Sequence, residues 1–218
     1  MARNDHSRAR HASALRRKKP TRPPYDRILV VCEGKKTEPN YFKVIRKEAR
    51  IPTAYVCVLP SQFGTQPSQV VKFAVSKFEE TKGFEKIFAV FDRDDHTTYV
   101  DAIAHAESLD GKLKNDENKQ VIFRAIVSVP SFELWLLLHY ADIQSFHHRD
   151  VVLHHLREHI TNYEKGEDGL YTLTQGMLTI ATRRAERLRT RFSRLPGEEA
   201  YTDVDELVGI LRSLTRMT

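Results

Sequence analysis

The sequence contains few cysteines, which excludes a disulfide framework and a cysteine-based metal site. Cys32 and Cys57 are the only two in 218 residues, and both fall inside predicted strands. Two thiols cannot fill a structural metal site, and a disulfide between neighbouring core strands would be unusual. We therefore expect two buried free thiols and a reducing compartment, which favours a cytoplasmic location.

Long apolar runs are also missing from the sequence. The longest candidate, Leu134–Leu138, has five residues, whereas a helix needs about 20 apolar residues to cross a bilayer. We expect this segment to belong to a core and the chain to have no membrane partner. The chain is long enough for one sizeable core with a small appendage.

Large aliphatic residues are scarce at residues 1–24, where Leu15 is the only one after Met1. Residues 1–27 hold nine Lys or Arg and two Asp, so they carry +7 and the rest about −1 of the net +6. We expect a disordered basic arm at 1–24, because this composition cannot offset its ordering entropy by burial. No apolar segment of a secretory signal follows the charges. A phosphate-binding arm, a solubilising tail and a transit peptide remain open interpretations.

A buried strand that ends in a carboxylate is the central feature of the chain. Ile28–Cys32 is a run of five apolar residues, which predicts a strand buried on both faces, and Glu33 and Gly34 follow it. Thr37 can cap a helix and Pro39 suits its first turn, so we expect a helix at about 38–49. Glu33 would then lie at the carboxyl edge of an α/β sheet, where ligands bind.

A second strand of the same kind ends in a pair of acids. Ile87–Phe91 runs directly into Asp92 and Asp94. Residues two apart in extended chain point the same way, so these carboxylates are expected to face one spot. If both strands are parallel, Glu33 joins them in an oxygen-rich site suited to Mg²⁺ or Mn²⁺.

Strand and helix patterns alternate up to residue 128. Strands are predicted at 28–32, 54–59, 86–91 and 121–128, with helices at about 38–49, 67–80 and 98–109. This alternation predicts an α/β fold, a Rossmannoid parallel sheet flanked by helices, over residues 25–145. A further helix is expected at 131–140. Residues 146–218 are expected to form a C-terminal helical subdomain, with helices at 146–160, 172–194 and 202–215.

Several residues near the predicted acids are candidates for contacting a substrate. Lys35 and Lys36 lie beside a helix N-terminus and can hold a phosphate. His96 follows the Asp cluster, and His139 lies on the helix that begins near Glu133. Glu133 is either a fourth acid of the site or only a partner of the helix dipole.

Three other motifs do not fit a known site. Gly34–Thr37 lacks the earlier glycine of a nucleotide P-loop, since that position is Leu29. A receiver-like domain with Asp92 as phosphoacceptor would need a lysine at a downstream strand end, and this sequence lacks that pattern. His155 and His159 have the spacing of a zinc pair but no catalytic glutamate between them, so we expect a solvated face.

A second basic run lies late in the chain. On a helix, four of its arginines would share one flank beside an apolar seam, namely Arg183, Arg187, Arg191 and Arg194. This flank can follow a nucleic-acid backbone, but an ordinary exposed surface or a protein-docking ridge has the same pattern.

Five segments together resemble a known family. They are Cys32–Phe42, Phe91–Asp94, Ser131–His139, Asn162–Lys165 and Thr202–Val204. With these motifs the chain resembles the RloB-like family, a branch of the Toprim-fold proteins related to the overcoming-lysogenisation-defect nucleases. The resemblance covers roughly residues 26–210.

The resemblance implies a Mg²⁺-dependent nuclease that acts on RNA, including tRNA, or on DNA. It assigns the metal-binding and catalytic positions to Glu33, Asp92 and Asp94, with Glu38 as the second acid of a Glu-Gly-x-x-Thr-Glu pattern. Whether Glu33 is a ligand or the general acid/base stays open.

The resemblance also implies substrate-contacting residues and a partner protein. Tyr163 and Lys165 match a family motif and are expected at the substrate cleft. Proteins of this family are associated with bacterial anti-phage defence and often stand beside an AAA-type ATPase. The alternative function is therefore a non-catalytic or latent module that docks on such an ATPase.

Overall fold

The computed structural model describes residues 25–214 of the chain. The basic arm that the sequence predicts at 1–24 lies outside these residues. Within them, five strands form one sheet: β1 (Ile28–Cys32), β2 (Val56–Pro60), β3 (Lys86–Asp92), β4 (Ile122–Val129) and β5 (Tyr201–Thr202).

The sheet has the strand order β2-β1-β3-β4-β5. The first four strands run parallel, and β5 pairs antiparallel with the end of β4. Because β1 and β3 are adjacent and parallel, the residues that follow them meet at the same edge of the sheet. The predicted α/β fold with a mostly parallel sheet is therefore confirmed.

Helices cover both faces of the sheet. In chain order they are α1 (Thr37–Glu48), α2 (Pro67–Thr81), α3 (Tyr99–Leu109), α4 (Phe132–Leu137), α5 (Arg149–His159), α6 (Leu170–Thr174), α7 (Leu178–Arg191) and α8 (Val204–Ser213). A 3₁₀ turn, Gln175–Met177, joins α6 to α7. The helices predicted at 38–49, 67–80 and 98–109 agree with α1, α2 and α3 within one residue at each end.

Side chains alternate between two hydrophobic cores along each strand. In β1, Leu29 and Val31 pack toward α2 and α3, whereas Ile28, Val30 and Cys32 pack toward the remaining helices. Burial on both faces explains why the parallel strands are continuous apolar runs. Cys32 and Cys57 are both free thiols, but only Cys32 is buried as predicted, whereas Cys57 is partly exposed.

The last third of the chain contributes to the core on one face of the sheet. Helices α4 to α8 place buried residues such as Leu156, Leu188 and Leu207 in the same cluster as Ile28 and Val90. This arrangement fixes loops from residues 130–170 against the end of β1. The division into domains at residue 146 stays a prediction.

The helices predicted after β4 differ in part from those of the structure. α4 ends at Leu137, three residues before the predicted end at 140, and α5 begins at Arg149, three residues after the predicted start at 146. The helix predicted to begin at residue 202 begins at Val204, because Tyr201 and Thr202 pair with β4 instead. The helix predicted at 172–194 is divided into α6, the 3₁₀ turn with Gly176, and α7, which ends at Arg191. A glycine at the junction weakens the helix there.

Several arginines of the late basic run form intramolecular contacts that stabilise the fold. Arg189 forms a bidentate ion pair with Asp205 on α8, and Arg184 donates to the carbonyl oxygen of Leu138. Arg187 pairs with Asp142 at 3.1 Å, and Arg194 pairs with Glu107. These contacts give four arginines of the run an intramolecular partner.

Candidate functional site

Glu33 lies where the sequence predicts it, directly after β1. Its backbone N–H donates to the carbonyl oxygen of Val90 in β3, 2.8 Å away, so the residue continues the ladder between the two strands. Its carboxylate turns toward β3, where Oε2 accepts the backbone N–H of Asp92 at 3.0 Å and Oε1 lies 3.1 Å from His96 Nε2. The carboxyl edge of the sheet thus brings together residues 59 positions apart.

A cavity of about 270 Å³ opens at this edge. Five carboxylates line it, contributed by Glu33, Glu38, Asp92, Asp94 and Glu133. Its cationic lining residues are Lys35, Lys36 and Lys165. The cavity therefore contains all five acids that the sequence predicts and three of the six predicted substrate-contacting residues.

Glu38 reaches the cavity because the loop before α1 is tight. Its carboxylate lies against Gly34, where an added Cβ would be 2.1 Å from Oε2, so a side chain at residue 34 would displace the acid. Burial raises the pKa of Glu38 to about 7, and the charges of Glu133 and Glu33 raise it as well. The glycine after Glu33 is thus required for the close approach of Glu38.

Glu133 is held by a neighbour in its own segment and by two residues of a later segment. Ser131 donates its hydroxyl to Oε2 at 2.7 Å, and the hydroxyl of Tyr163 donates to Oε1 at 3.2 Å. Lys165 Nζ lies 3.4 Å from the same Oε1. The segment with Tyr163 and Lys165 is itself tied to α1, because Gly166 N–H donates to the Thr37 hydroxyl at 2.8 Å. Tyr163 and Lys165 therefore contact an acid of the cavity.

Asp94 has a partner that sequence reasoning missed. Its backbone has a positive φ of 36°, and its carboxylate forms an ion pair with Arg149, the first residue of α5. The two residues are 55 positions apart and no motif connects them. Ser131 is a second missed residue, although it lies in Ser131–His139, one of the segments that resemble the family.

The carboxylates raise one another's proton affinity. Burial raises the pKa of Asp92 well above its usual value, and the nearby charges of Glu33 and Glu38 raise it further. Burial also raises the pKa of Glu33, while the Asp92 N–H and His96 act in the opposite direction. A group of acids at this density is costly to keep ionised unless a cation neutralises it.

The donor set fits a hard divalent cation only in part. Carboxylate oxygens are the ligands that Mg²⁺ and Mn²⁺ prefer, and the shared repulsion of these acids favours a bound cation. In residues 25–214, however, no group of three or more His, Cys, Asp or Glu side chains is arranged so that it could hold one metal ion. Asp94 and Glu133 have Arg149 and Lys165 as partners instead. The acids would have to rearrange to surround a single ion.

His139 does not line the cavity. It is buried, and its Nδ1 lies 3.0 Å from the carbonyl oxygen of Trp135 and 3.2 Å from that of Leu136. Its Nε2 is buried without a hydrogen-bond partner among the described residues. Burial lowers the pKa of His139 from 6.5 to about 4. The other histidine candidate, His96, contacts Glu33 directly.

We expect His139 to make the fold sensitive to mild acid. Because the pKa of His139 is about 4 in the fold and about 6.5 in the unfolded chain, the unfolded state binds more protons between these values. The stability contributed by neutral His139 is therefore lost as pH falls from about 6.5 to 4, by roughly 3 kcal/mol. Urea unfolding of wild type and His139→Asn, which keeps a side-chain N–H, measures this.

The variant should gain stability relative to wild type over that pH range. The comparison is needed because Glu38 and Asp203, whose pKa values are both raised to about 7, change the stability in the opposite direction. An unchanged difference between the two proteins from pH 7 to pH 4 would contradict a neutral buried His139.

The fold and the edge site together define a class of protein, an α/β protein with a Rossmann-like parallel sheet and an acidic cavity at its carboxyl edge. A family model described as RloB-like protein matches residues 28–211. The chain belongs to the RloB-like family. No curated protein and no solved structure matches it.

The match covers every strand and every residue of the cavity. It begins at Ile28, the first residue of β1, and ends at residue 211 within α8. As for membranes, none of the helices in residues 25–214 has the length and apolar character that a bilayer span requires.

Proposed function

We propose that this chain is a Mg²⁺-dependent nuclease of the Toprim type, which cleaves phosphodiester bonds in RNA or DNA in bacterial anti-phage defence. The observation that carries the proposal is the cavity at the edge of β1 and β3, where five carboxylates meet. These acids raise one another's pKa, and residues 25–214 do not supply a cationic side chain for each of them. A bound divalent ion would relieve that repulsion. The resemblance to Toprim proteins supports the same chemistry.

The acids have separate roles in this proposal. Glu33, Asp92 and Asp94 would hold the cation, with Glu38 and Glu133 completing the negative field around it. A bound Mg²⁺ or Mn²⁺ would stabilise charge on the attacking and leaving oxygens of the phosphodiester. Glu33 also lies within hydrogen-bond distance of His96, so this pair can take or give a proton.

Basic residues around the acids suit the substrate backbone. Lys35 and Lys36 lie at the start of α1 and are exposed, and Lys165 is half-exposed beside Glu133. Cationic side chains at a helix N-terminus bind phosphate groups. We assign these three lysines to the phosphates on either side of the scissile bond.

Glu33→Gln should lower metal-dependent cleavage by about 10²- to 10⁴-fold, the usual effect of losing a catalytic acid or base. Glutamine can still accept the N–H of Asp92 but carries no charge. The measurement is the rate at which the purified chain cleaves end-labelled RNA and DNA, with Mg²⁺, with Mn²⁺ and with chelator.

The matched control is Glu48→Gln, which removes a carboxylate from the exposed C-terminal end of α1 and should leave cleavage unchanged. Cleavage that persists in chelator would contradict the metal dependence, and equal cleavage by Glu33→Gln and wild type would remove Glu33 from the active site.

A latent module that docks on an AAA-type ATPase is the second candidate. It is favoured by the fact that the chain's own cations already pair with two of the acids, Arg149 with Asp94 and Lys165 with Glu133. Such pairs suit a site that is inactive until this module is released from the ATPase. Cleavage by the isolated wild-type chain at full rate would exclude a purely docking role.

A further inference from the structure

A second cavity adjoins the acidic one. It has a volume of about 250 Å³, enough for one nucleobase, and its wall includes Arg93, Asp94, Phe146, His148 and Arg149. Asp94 lines both cavities, so the two are neighbours at the same edge of the sheet. Unlike the acidic cavity, the second one has arginines and a histidine in its wall, and the carboxylates of Asp95 and Glu198 line it as well.

Phe146 is unusual because it is exposed. It lies in the loop before α5 and is 43% accessible, so a large part of an apolar ring stays in contact with solvent. Eight large hydrophobic residues of the described part are exposed, and the other aromatic one among them is Phe63, at 50%. The remaining six are aliphatic.

Phe63 lies at the same edge of the sheet as the two cavities. It follows β2, and Ser61 between them donates its N–H to the carbonyl oxygen of Cys32, directly before Glu33. The same loop contacts the segment after Asp94, because the Thr98 hydroxyl donates to Gln66 at 3.2 Å. Phe63 thus belongs to the loop between β2 and α2, and Phe146 belongs to the loop between α4 and α5.

We infer that the substrate of the proposed nuclease is single-stranded, and that the second cavity takes an unpaired base stacked on Phe146. This inference rests on the proposed function and names its substrate class. Exposed aromatic rings interleaved with basic side chains are the features with which proteins bind single strands, since every base has a face that stacks. In a duplex the bases are stacked on each other, so no base face is free to stack on a ring at the protein surface.

Arg149 places positive charge beside that ring, and His148 adds a polar imidazole to the same wall. The guanidinium of Arg149 is 37% exposed in its pair with Asp94, so it can contact a phosphate from the open side. His148 is exposed and lies 3.3 Å from Asp150. A nucleotide with its base on Phe146 would therefore have its phosphate near Arg149, next to Asp94 and the acidic cavity.

The test measures the affinity of the protein for nucleic acid under conditions in which metal-dependent cleavage cannot occur. Full-length protein in chelator is titrated into a fluorescein-labelled single-stranded RNA of about 12 nucleotides, into a DNA strand of the same sequence, and into the duplex of each. We expect Phe146→Ala to weaken binding of the single strand about tenfold, which is the typical effect of losing one stacking contact. Phe146→Trp should keep wild-type affinity, and the duplexes should bind more weakly and not respond to either change.

Ile122→Ala is the matched control. Ile122 is also an exposed apolar residue, but it is the first residue of β4, at the opposite edge of the sheet. Its variant should bind the single strand as wild type does. Equal binding of duplex and single strand, wild-type binding by Phe146→Ala, or no binding of any probe would each overturn the inference.

Failure of this inference is distinguishable from failure of the proposed function. A wild-type chain that cleaves with Mg²⁺ while Phe146→Ala binds and cleaves normally leaves the nuclease and removes the subsite. A chain that binds the single strand through Phe146, yet cleaves nothing with any divalent ion, keeps the subsite and removes the nuclease.

Discussion

Asp92→Asn should abolish phosphodiester cleavage and at the same time stabilise the fold. The amide cannot serve as an anionic ligand, so we expect cleavage to fall by at least about 10³-fold. The carboxylate of Asp92 is costly in the metal-free fold, since burial and the charges of Glu33 and Glu38 raise its pKa. Removing that charge should raise the free energy of unfolding by about 1–3 kcal/mol. Urea unfolding in chelator and calorimetric titration with Mn²⁺ measure the two effects.

Asp101→Asn serves as the control for this pair of measurements. It makes the same chemical change on the exposed first turn of α3, outside the cavity, and should alter stability by at most a few tenths of a kcal/mol. Asp92→Asn that is less stable than wild type would show that the acids do not repel one another. Equal Mn²⁺ affinity in wild type and Asp92→Asn would remove Asp92 from the metal site.

Trp135→Ala should cost about 3–5 kcal/mol of unfolding free energy, the usual range for a fully buried aromatic residue. The indole of Trp135 has no exposed surface, its Nε1 donates to the Tyr41 hydroxyl at 3.0 Å, and its ring meets His139 edge-on at 4.7 Å. The substitution leaves a cavity between α4 and α1 and removes the hydrogen-bond donor of a buried hydroxyl. Urea unfolding at pH 7 measures the loss.

The comparison for Trp135→Ala is Leu173→Ala, which removes an apolar side chain that is mostly exposed on α6. It should change the unfolding free energy by less than about 0.5 kcal/mol. Trp135→Phe should fall between the two, because it restores most of the volume and none of the hydrogen bond. A loss below about 1 kcal/mol in Trp135→Ala would contradict the tight packing of α4 against α1.

The sheet could be predicted because its parallel strands are buried on both faces. Ile28–Cys32 and Ile87–Phe91 are unbroken apolar runs, and a parallel strand covered on both sides has that pattern. β5 gave no such signal, since a strand of two residues that includes Thr202 has neither length nor alternation. It exists only because its backbone pairs with Ser128 and Val129.

The acids of the cavity could be predicted for a different reason. Glu33 and Asp92 follow two strands, and once the strands are parallel their ends must meet. His139 shows the limit of this reasoning. The sequence places it on the helix of Glu133, but α4 ends at Leu137 and His139 lies in the turn that follows. There its Nδ1 faces the carbonyl oxygens of Trp135 and Leu136, and the side chain is buried away from the cavity.

The pairing of Asp94 with Arg149 could not be predicted from the sequence. Neither residue is part of a pattern that refers to the other, and the loop between α4 and α5 sets how close they come. The same holds for the contacts of Gly166 with Thr37 and of Lys165 with Glu133. Long-range contacts between loops depend on the packing of the helices that carry them.

The single tryptophan gives the molecule an intrinsic optical probe. Trp135 stands two residues after Glu133 and donates a hydrogen bond to Tyr41 on α1, the helix that carries Glu38. Its emission should be that of an apolar environment and should be quenched when the neighbouring imidazole becomes charged. We expect the emission of Trp135 to report occupation of the acidic cavity in unlabelled protein.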